Sequence, residues 1–501
     1  MWFTIPDSTT PEAKAERRRL NEQYQMLALA APVVVTAVLA ARLTLAQRVR
    51  SQHWAVRLAL HRTPPLAAAV VAWALVQAVL SVAQTHGDVL ALAKRAGRIT
   101  ASMVPSVLFL SLKPSPVPHA LYLELVGVHS WLGRLVGLFG TAHAVLYLVY
   151  FGAKHRLAHA LAPYNALGVL ALLGFAAMAL FSLERFRRAN YTLFYRAHYV
   201  LAWACVCAVA LHARPRIWLL ITLMLGLLWG QLLFRLYAGA RVDDLRVTAV
   251  TRDLLVVEIP RHVLPVSYGP GSHIRLAESP KDNPLAWISP SHPYTVCSAP
   301  ADKKSLRLLV RPTRRFPLFS GRPYLVSGPY PSLHPAFFNA ARRVLLVAGG
   351  VGISFVAPVA RELHSRGADV LVLWAVRSVS EIHALELLSV PTGVLEIYVA
   401  PGADDAVVAA AQPVPSDDIE LDDLVDPLAA ADRAKDAARW LRSLDIRHER
   451  LVLRDRVALW AATDRHADPW VVVCGGTRLV DDAAAQARRH RCRLHAEHFA
   501  I

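Results

Sequence analysis

The chain has 501 residues, of which 55% are hydrophobic and 18% charged, and its mean hydropathy is +0.35. These figures exclude disorder, a collagen-like repeat and a disulfide-stapled mini-fold for the chain as a whole, and the length allows about three units. The formal net charge is +18, but most bases of the first half lie between apolar runs, where membrane topology explains them better than a nucleic-acid partner.

The first 22 residues are polar and basic, with no apolar region of the kind that precedes signal-peptide cleavage. Apolar runs then recur until about residue 240. The candidate spans are Tyr24–Leu45, Pro65–Ala83, Ile99–Leu112, Leu121–Phe151, Ala166–Leu183, Ala197–His212 and Ile217–Phe234, judged against about 20 apolar residues per crossing. The third is short and contains Pro105, and the sixth needs its flank from Tyr191 to cross. The fifth ends in Glu184-Arg185-Phe186-Arg187-Arg188, a basic cluster expected in the cytosol. Arg48, Arg50, Arg57 and Arg62 fall on the same side. With seven spans the N-terminus lies outside and the C-terminal half is cytosolic.

Ionisable residues inside spans are costly and point to function. The fourth span holds His129 and His143, and the sixth His198 and His212. Each pair is separated by 14 residues, which is about four helical turns and about 21 Å of rise. Each helix therefore shows two imidazoles on one face, one near each leaflet. Both helices run in the same direction, so His129 faces His198 at the inner level and His143 faces His212 at the outer. That arrangement suits axial ligation of two stacked haems. Two other readings stand beside it: four unrelated histidines bonded within the bundle, or a metal transporter, whose site would cluster near the midplane. Arg134 lies between the levels and has either a haem propionate or Glu124 as its partner.

After Arg241 the composition becomes that of a soluble protein. Residues 244–328 read as short strands separated by turn residues, a small antiparallel barrel. Within it, Ser291-His292-Pro293-Tyr294-Thr295 joins a turn to a strand, and Pro270-Gly271-Ser272-His273 lies upstream. Residues 343–501 alternate apolar strands with amphipathic helices, a doubly wound α/β pattern. Gly349-Gly350-Val351-Gly352-Ile353-Ser354 follows a strand and opens a helix, where backbone N–H groups and the helix terminus favour a phosphate. Arg377 stands after the second strand in place of an acidic residue, which suits the 2′-phosphate of NADPH. Cys474-Gly475-Gly476 follows the last long strand, where a thiol would lie near a nicotinamide; Glu497 and Phe499 close the chain, and an aromatic there would cover a flavin or anchor the strand. Between these elements, Pro401–Arg439 carries ten acids against three bases and reads as a solvated insert. The five cysteines are too scattered for a disulfide framework or a zinc site.

Taken in order, LAKRAGR with Pro105, His129 and His143 with Trp131 and Arg134, YTLFYRAH, HARP, YGPGSHIRL, NPLAWISPSHPYTVCS, GGVGIS and the final AEHF resemble the ferric reductase transmembrane family. That family includes the NADPH oxidases, and the chain is most similar to its fungal metalloreductases, which include an endoplasmic-reticulum NADPH oxidase. The resemblance runs from about Lys94 to the C-terminus, apart from the acidic insert. It implies a polytopic helical haem domain at residues 24–240 after a polar segment at 1–23. An FAD-binding barrel at 241–341 would follow, then an NADPH-binding α/β domain at 342–501 with its insert at about 401–440. It also implies electron flow from NADPH to FAD, to two b-type haems, and to ferric or cupric ions or oxygen on the far side of an endoplasmic-reticulum or plasma membrane. Carried over, His292, Pro293, Tyr294 and Thr295 would form the flavin-binding strand, with Arg311 near the FAD pyrophosphate. Ser327-Gly328-Pro329-Tyr330 would close the barrel, and Gly349, Gly350, Gly352 and Ser354 would hold the NADPH phosphates. Val351 and Gly476 depart from the family pattern, and the stretch between Arg311 and Pro323 is short. These departures motivate a contrary expectation, a non-enzymatic membrane scaffold with a degenerate reductase half.

Overall fold

The computed structural model describes residues 4, 10–48, 66–113, 116–117, 122–213, 217–237, 239–251, 254–279, 283, 285–313, 316–388, 390–400, 444–462 and 469–498. Phe499 and the acidic insert lie outside them. Two compact units emerge: a helical one, residues 1–239 with 280–290, and a mixed one, residues 240–279 with 291–501.

The helical unit contains α1 (Pro11–Arg48), α2 (Leu66–Val82), α3 (Val89–Leu110), α4 (Tyr122–Ala153), α5 (Pro163–Ser182), α6 (Glu184–Ala189), α7 (Tyr191–His212) and α8 (Trp218–Tyr237). Four helices among the described residues are long and apolar enough to cross a membrane: Leu125–Ala153, Pro163–Ser182, Tyr191–His212 and Trp218–Tyr237. These are the last four expected spans, and the sixth does begin at Tyr191, where Asn190 caps the helix by accepting from Leu193 N. The first expected span lies within α1, which starts at Pro11, so the polar N-terminal segment is partly helical. The second lies in α2, only 17 residues long. The third lies in the 22-residue α3, whose first turns carry Lys94, Arg95 and Arg98. Those bases are why α3 is less apolar than a lipid-crossing helix.

Helix α3 is anchored before it starts. Asp88 accepts from Leu90 N and Ala91 N and pairs with Arg17 at 2.6 Å. Arg95 is buried, donating to Asn21 Oδ1 at 2.7 Å and lying over the Tyr24 ring at 4.0 Å. Elsewhere the bundle leaves leucines and valines on its outside, such as Leu138, Leu170 and Leu219, as a lipid-facing surface requires.

The mixed unit begins with two small antiparallel sheets. One has the order β1 (Ala240–Val242), β7 (Tyr324–Tyr330), β4 (His273–Glu278), β5 (His292–Thr295). The other has the order β2 (Arg246–Thr251), β3 (Leu254–Pro260), β6 (Ser305–Val310). Alternate residues turn inward, and Val257, Ile259, Ile274, Leu276, Leu306, Leu308 and Val326 form the barrel core. A short helix, α9 (Pro335–Ala340), leads on to a parallel sheet of six strands. Its order is β11 (Asp445–Arg447), β10 (Leu395–Val399), β9 (Asp369–Val376), β8 (Arg343–Gly349), β12 (Pro469–Gly475), β13 (Arg493–His498). Val344, Leu346 and Ala348 pack on one face with α10 (Ile353–Ser365) and α11 (Leu385–Leu388). Leu345 and Val347 pack on the other with α12 (Leu453–Ala462) and α13 (Thr477–Arg489). Strand order reverses between β8 and β12, and the carboxyl ends at such a switch point are where doubly wound sheets bind ligands.

Candidate cofactor sites

Helix α4 and helix α7 bring the four histidines into two pairs. The ring centroids of His129 and His198 are 6.2 Å apart, and those of His143 and His212 are 6.1 Å apart. Two imidazoles on one metal, each bonded at about 2 Å with about 1.1 Å more to the ring centre, stand about 6 Å apart. Both pairs have room for an iron between them.

The flanking helices hold the outward nitrogen of every ring. Nδ1 of His129 lies 2.9 Å from Val107 O and that of His143 2.7 Å from Ala93 O, both carbonyls of α3. Nδ1 of His212 lies 2.7 Å from Tyr164 O, and that of His198 3.4 Å from Ser182 Oγ, on α5. Ser182 spends its own hydrogen on Met178 O, so its oxygen accepts. Each ring thus donates through Nδ1 and keeps Nε2 as the free acceptor, the tautomer that ligating histidines adopt. Two glycines make the approach possible. A Cβ on Gly97 would stand 2.6 Å from His143 Cε1, and one on Gly168 2.5 Å from His212 Cε1. Arg134 lies over the Trp131 ring at 4.3 Å and is exposed. Among the described residues no group of three or more His, Cys, Asp or Glu could hold a metal ion.

In the mixed unit, β5 presents His292, Tyr294 and Thr295 half-buried and Pro293 exposed. The His292 ring stacks on Phe316 at 4.2 Å. Burial, with Arg275 nearby, pushes its pKa down to about 4, so the ring is neutral. Burial raises the Tyr294 phenol, which therefore keeps its proton. Arg311, just after β6, donates Nη2 to Glu381 at 2.9 Å, while its Nε has no partner among the described residues. Gly350 lies beneath, at φ +53°, and a Cβ there would sit 3.4 Å from Arg311 Nη2. The cradle, the unmet N–H and the guanidinium together fit a phosphate group.

The carboxyl ends of β8 and β12 nearly touch. A Cβ on Gly475 would stand 3.4 Å from Gly349 N, and one on Gly349 2.9 Å from Leu479 Cδ2. The glycine loop is anchored by Trp374 Nε1, which donates to Gly350 O at 2.9 Å. Gly352 precedes α10 without a side-chain cap, and Ser354 is buried in its first turn. Cys474 lies opposite Glu497 in the register of β12 and β13, and burial raises its thiol well above the ordinary range. Arg377 is exposed after β9. All five cysteines are free.

Glu381, Trp374, Ser182, Gly97 and Gly168 were not singled out by the sequence. Gly97 sits inside LAKRAGR, a motif noted only for the family resemblance it carries; the others contribute a carboxylate, an indole N–H, a hydroxyl and a missing Cβ, whose value depends on a distant neighbour.

The family described as ferric reductase like transmembrane component matches residues 96–209, and an FAD-binding domain family matches residues 240–319. A probable metalloreductase AIM14 of Scheffersomyces stipitis is 30% identical over 411 residues, 78% of this chain and 77% of that protein. The chain belongs to the ferric reductase transmembrane component family. A probable metalloreductase AIM14 of Yarrowia lipolytica is 41% identical over 300 residues, 59% of this chain; the chain spans just over half of that relative, 56%. Among solved structures, a ferredoxin reductase in carbazole 1,9a-dioxygenase aligns over 52% of this chain and 68% of its own, at 15% identity and a TM-score of 0.33. The chain is an integral membrane protein, with a helical ferric-reductase-like membrane region followed by an FAD-binding domain.

Proposed function

We propose that the chain carries electrons from cytosolic NADPH across a membrane to ferric or cupric ions on the far side, through FAD and two b-type haems. The acceptor follows the names of its relatives, probable metalloreductases. The observation that carries the reading is the pair of facing imidazoles at each of two levels, 6.2 and 6.1 Å apart, every Nδ1 on an acceptor.

When bound, FAD converts the two-electron hydride of NADPH into single electrons, and two haems give those electrons a path through hydrocarbon. The protein's own residues position these groups. His129 and His198 would hold the inner iron, and His143 and His212 the outer. The α3 carbonyls and the α5 acceptors fix the ring planes. Arg311 would hold the FAD pyrophosphate by charge, and neutral His292 with protonated Tyr294 would line the flavin strand. Gly349 and Gly475 let a nucleotide approach the strand ends, the α10 N-terminus receives its phosphate, and Arg377 pairs with the 2′-phosphate. Buried Cys474, held as a neutral thiol, offers a small uncharged wall to a nicotinamide.

The test is reconstitution of purified protein in vesicles, with NADPH outside and traps for ferrous iron and for superoxide inside. Ferrous iron inside supports the reading. Superoxide without ferrous iron makes oxygen the acceptor. No Soret or alpha band after dithionite, or no extractable FAD, refutes the wiring and leaves the scaffold alternative.

A further inference from the structure

The four histidine rings of the helical unit are not held alike. At the outer level both acceptors are peptide carbonyls at 2.7 Å, Ala93 O for His143 and Tyr164 O for His212. At the inner level the bonds are longer: Val107 O accepts from His129 at 2.9 Å, and Ser182 Oγ accepts from His198 at 3.4 Å. Ser182 is thus the one side chain among the four acceptors. It is the last residue of α5, where its Oγ donates to Met178 O at 2.7 Å and Leu183 N turns back to Leu180 O. A peptide oxygen carries extra negative charge from amide resonance. A hydroxyl oxygen lacks that charge, and the 3.4 Å separation at His198 is beyond the usual length of a strong N–H···O bond.

The bond at Nδ1 reaches a metal through the ring. An acceptor that draws on the Nδ1 hydrogen makes Nε2 more basic, and more basic axial ligands favour ferric over ferrous iron. Two short carbonyl bonds at the outer level therefore favour ferric iron more than one longer carbonyl bond and a hydroxyl do at the inner level.

We propose that Ser182 keeps His198 the weakest donor of the four histidines, so that an iron at the inner level holds an electron in preference to one at the outer level. The proposal rests on the electron-transfer reading above. In the step between levels, one electron leaves the inner iron, which is oxidised, and reduces the outer; Ser182 makes and breaks no covalent bond. Outer-shell partners of ligating histidines commonly alter metal affinity by about ten- to a hundredfold. A preference of about tenfold between the levels is about 59 mV for a one-electron couple and leaves about a tenth of the electrons at the outer level. Idle reduction at the far face is thereby limited until an acceptor withdraws electrons.

Spectroelectrochemistry of the purified full-length protein in detergent, read at the haem alpha band without NADPH or acceptor, decides it. Wild type should reduce in two steps separated by about 59 mV or more. His212→Ala, which keeps the inner pair, should retain the step at the higher potential. Ser182→Ala leaves Nδ1 of His198 without its acceptor and should raise that step. Ser182→Asp offers a carboxylate, a stronger acceptor, and should lower it, by a factor on the order of ten in the reduction equilibrium. Ser182→Thr keeps the hydroxyl and should leave the step where it is. A serine with a merely structural role would not move the potential in opposite directions with Ala and Asp. A retained step at the lower potential in His212→Ala, or an inner step unmoved by both Ser182→Ala and Ser182→Asp, overturns the proposal. The His212→Ala measurement leaves Ser182 intact, so it decides the order of the two levels even if the Ser182 variants fail to fold. A wild-type protein with no alpha band refutes the electron-transfer reading instead.

Discussion

Replacing Gly97 by alanine should empty the outer histidine pair and leave the inner one filled. The added Cβ would stand 2.6 Å from both Cε1 and Nδ1 of His143, whereas ordinary contact begins at 3.4 Å. The ring must therefore retreat by 0.8 Å, the difference of those two figures. Metal–ligand distances are held to about 0.2 Å, so the retreat is several times what an axial bond tolerates. The same movement strains the 2.7 Å bond from Nδ1 to Ala93 O. Overpacking of this kind costs about 1–3 kcal/mol, enough to weaken ligation without unfolding the bundle. Haem per protein, measured as the pyridine haemochrome, should fall from two to one, with the remaining alpha band that of the His129–His198 pair. Gly137→Ala on α4 is the matched control, since a Cβ there meets nothing within 4 Å. Two haems per chain in Gly97→Ala, with an unaltered reduced spectrum, would refute the assignment of His143 as a ligand.

Replacing His143 or His212 should likewise remove one haem, while NADPH still bleaches the flavin at the wild-type rate; full haem content in the double variant contradicts this. Arg377→Ala should raise KM for NADPH by about ten- to a hundredfold, as expected for losing a charged hydrogen bond worth about 1.5–3 kcal/mol, and leave NADH kinetics unchanged. Equal loss with both nucleotides would make Arg377 an ordinary surface residue. Acid should destabilise the reductase module through His292. Its folded pKa of about 4 lies below the ordinary histidine value of 6.5, so the folded state binds fewer protons than the unfolded. The contribution is intact above pH 6.5 and is lost as pH falls toward 4. The unscreened loss is about 3 kcal/mol, and about 1–2 kcal/mol with partial solvent exposure. Melting temperatures of wild type and His292→Asn should converge as pH falls through this window; parallel curves would mean that His292 does not titrate as described.

The histidine levels were legible because a helix repeats: 14 residues return to one face, and facing pairs follow once two helices run the same way. The strand ends at Gly349 and Gly475 were legible for a similar reason, since apolar runs that end in glycine mark the carboxyl edge of a parallel sheet. What escaped depends on neighbours remote in the chain. Ser182 receives His198 only because α5 packs on α7, and nothing local to Ser182 announces it. Glu381 meets Arg311 across 70 residues. The first three spans were the least distinct because α2 is short and α3 begins with three bases, whose burial is offset by partners such as Asn21 and Tyr24 on α1.

The pairing of α3 with α4 carries a consequence for how this membrane domain can change over evolutionary time. Ala93 meets His143 and Val107 meets His129, so both levels share a single antiparallel register. Inserting one residue into α3 between Ala93 and Val107 would turn everything beyond it by about 100° and detach one carbonyl whichever end stayed put. The interval between the two histidine levels is thus locked against insertion and deletion, and sequence drift in this helix is confined to substitution.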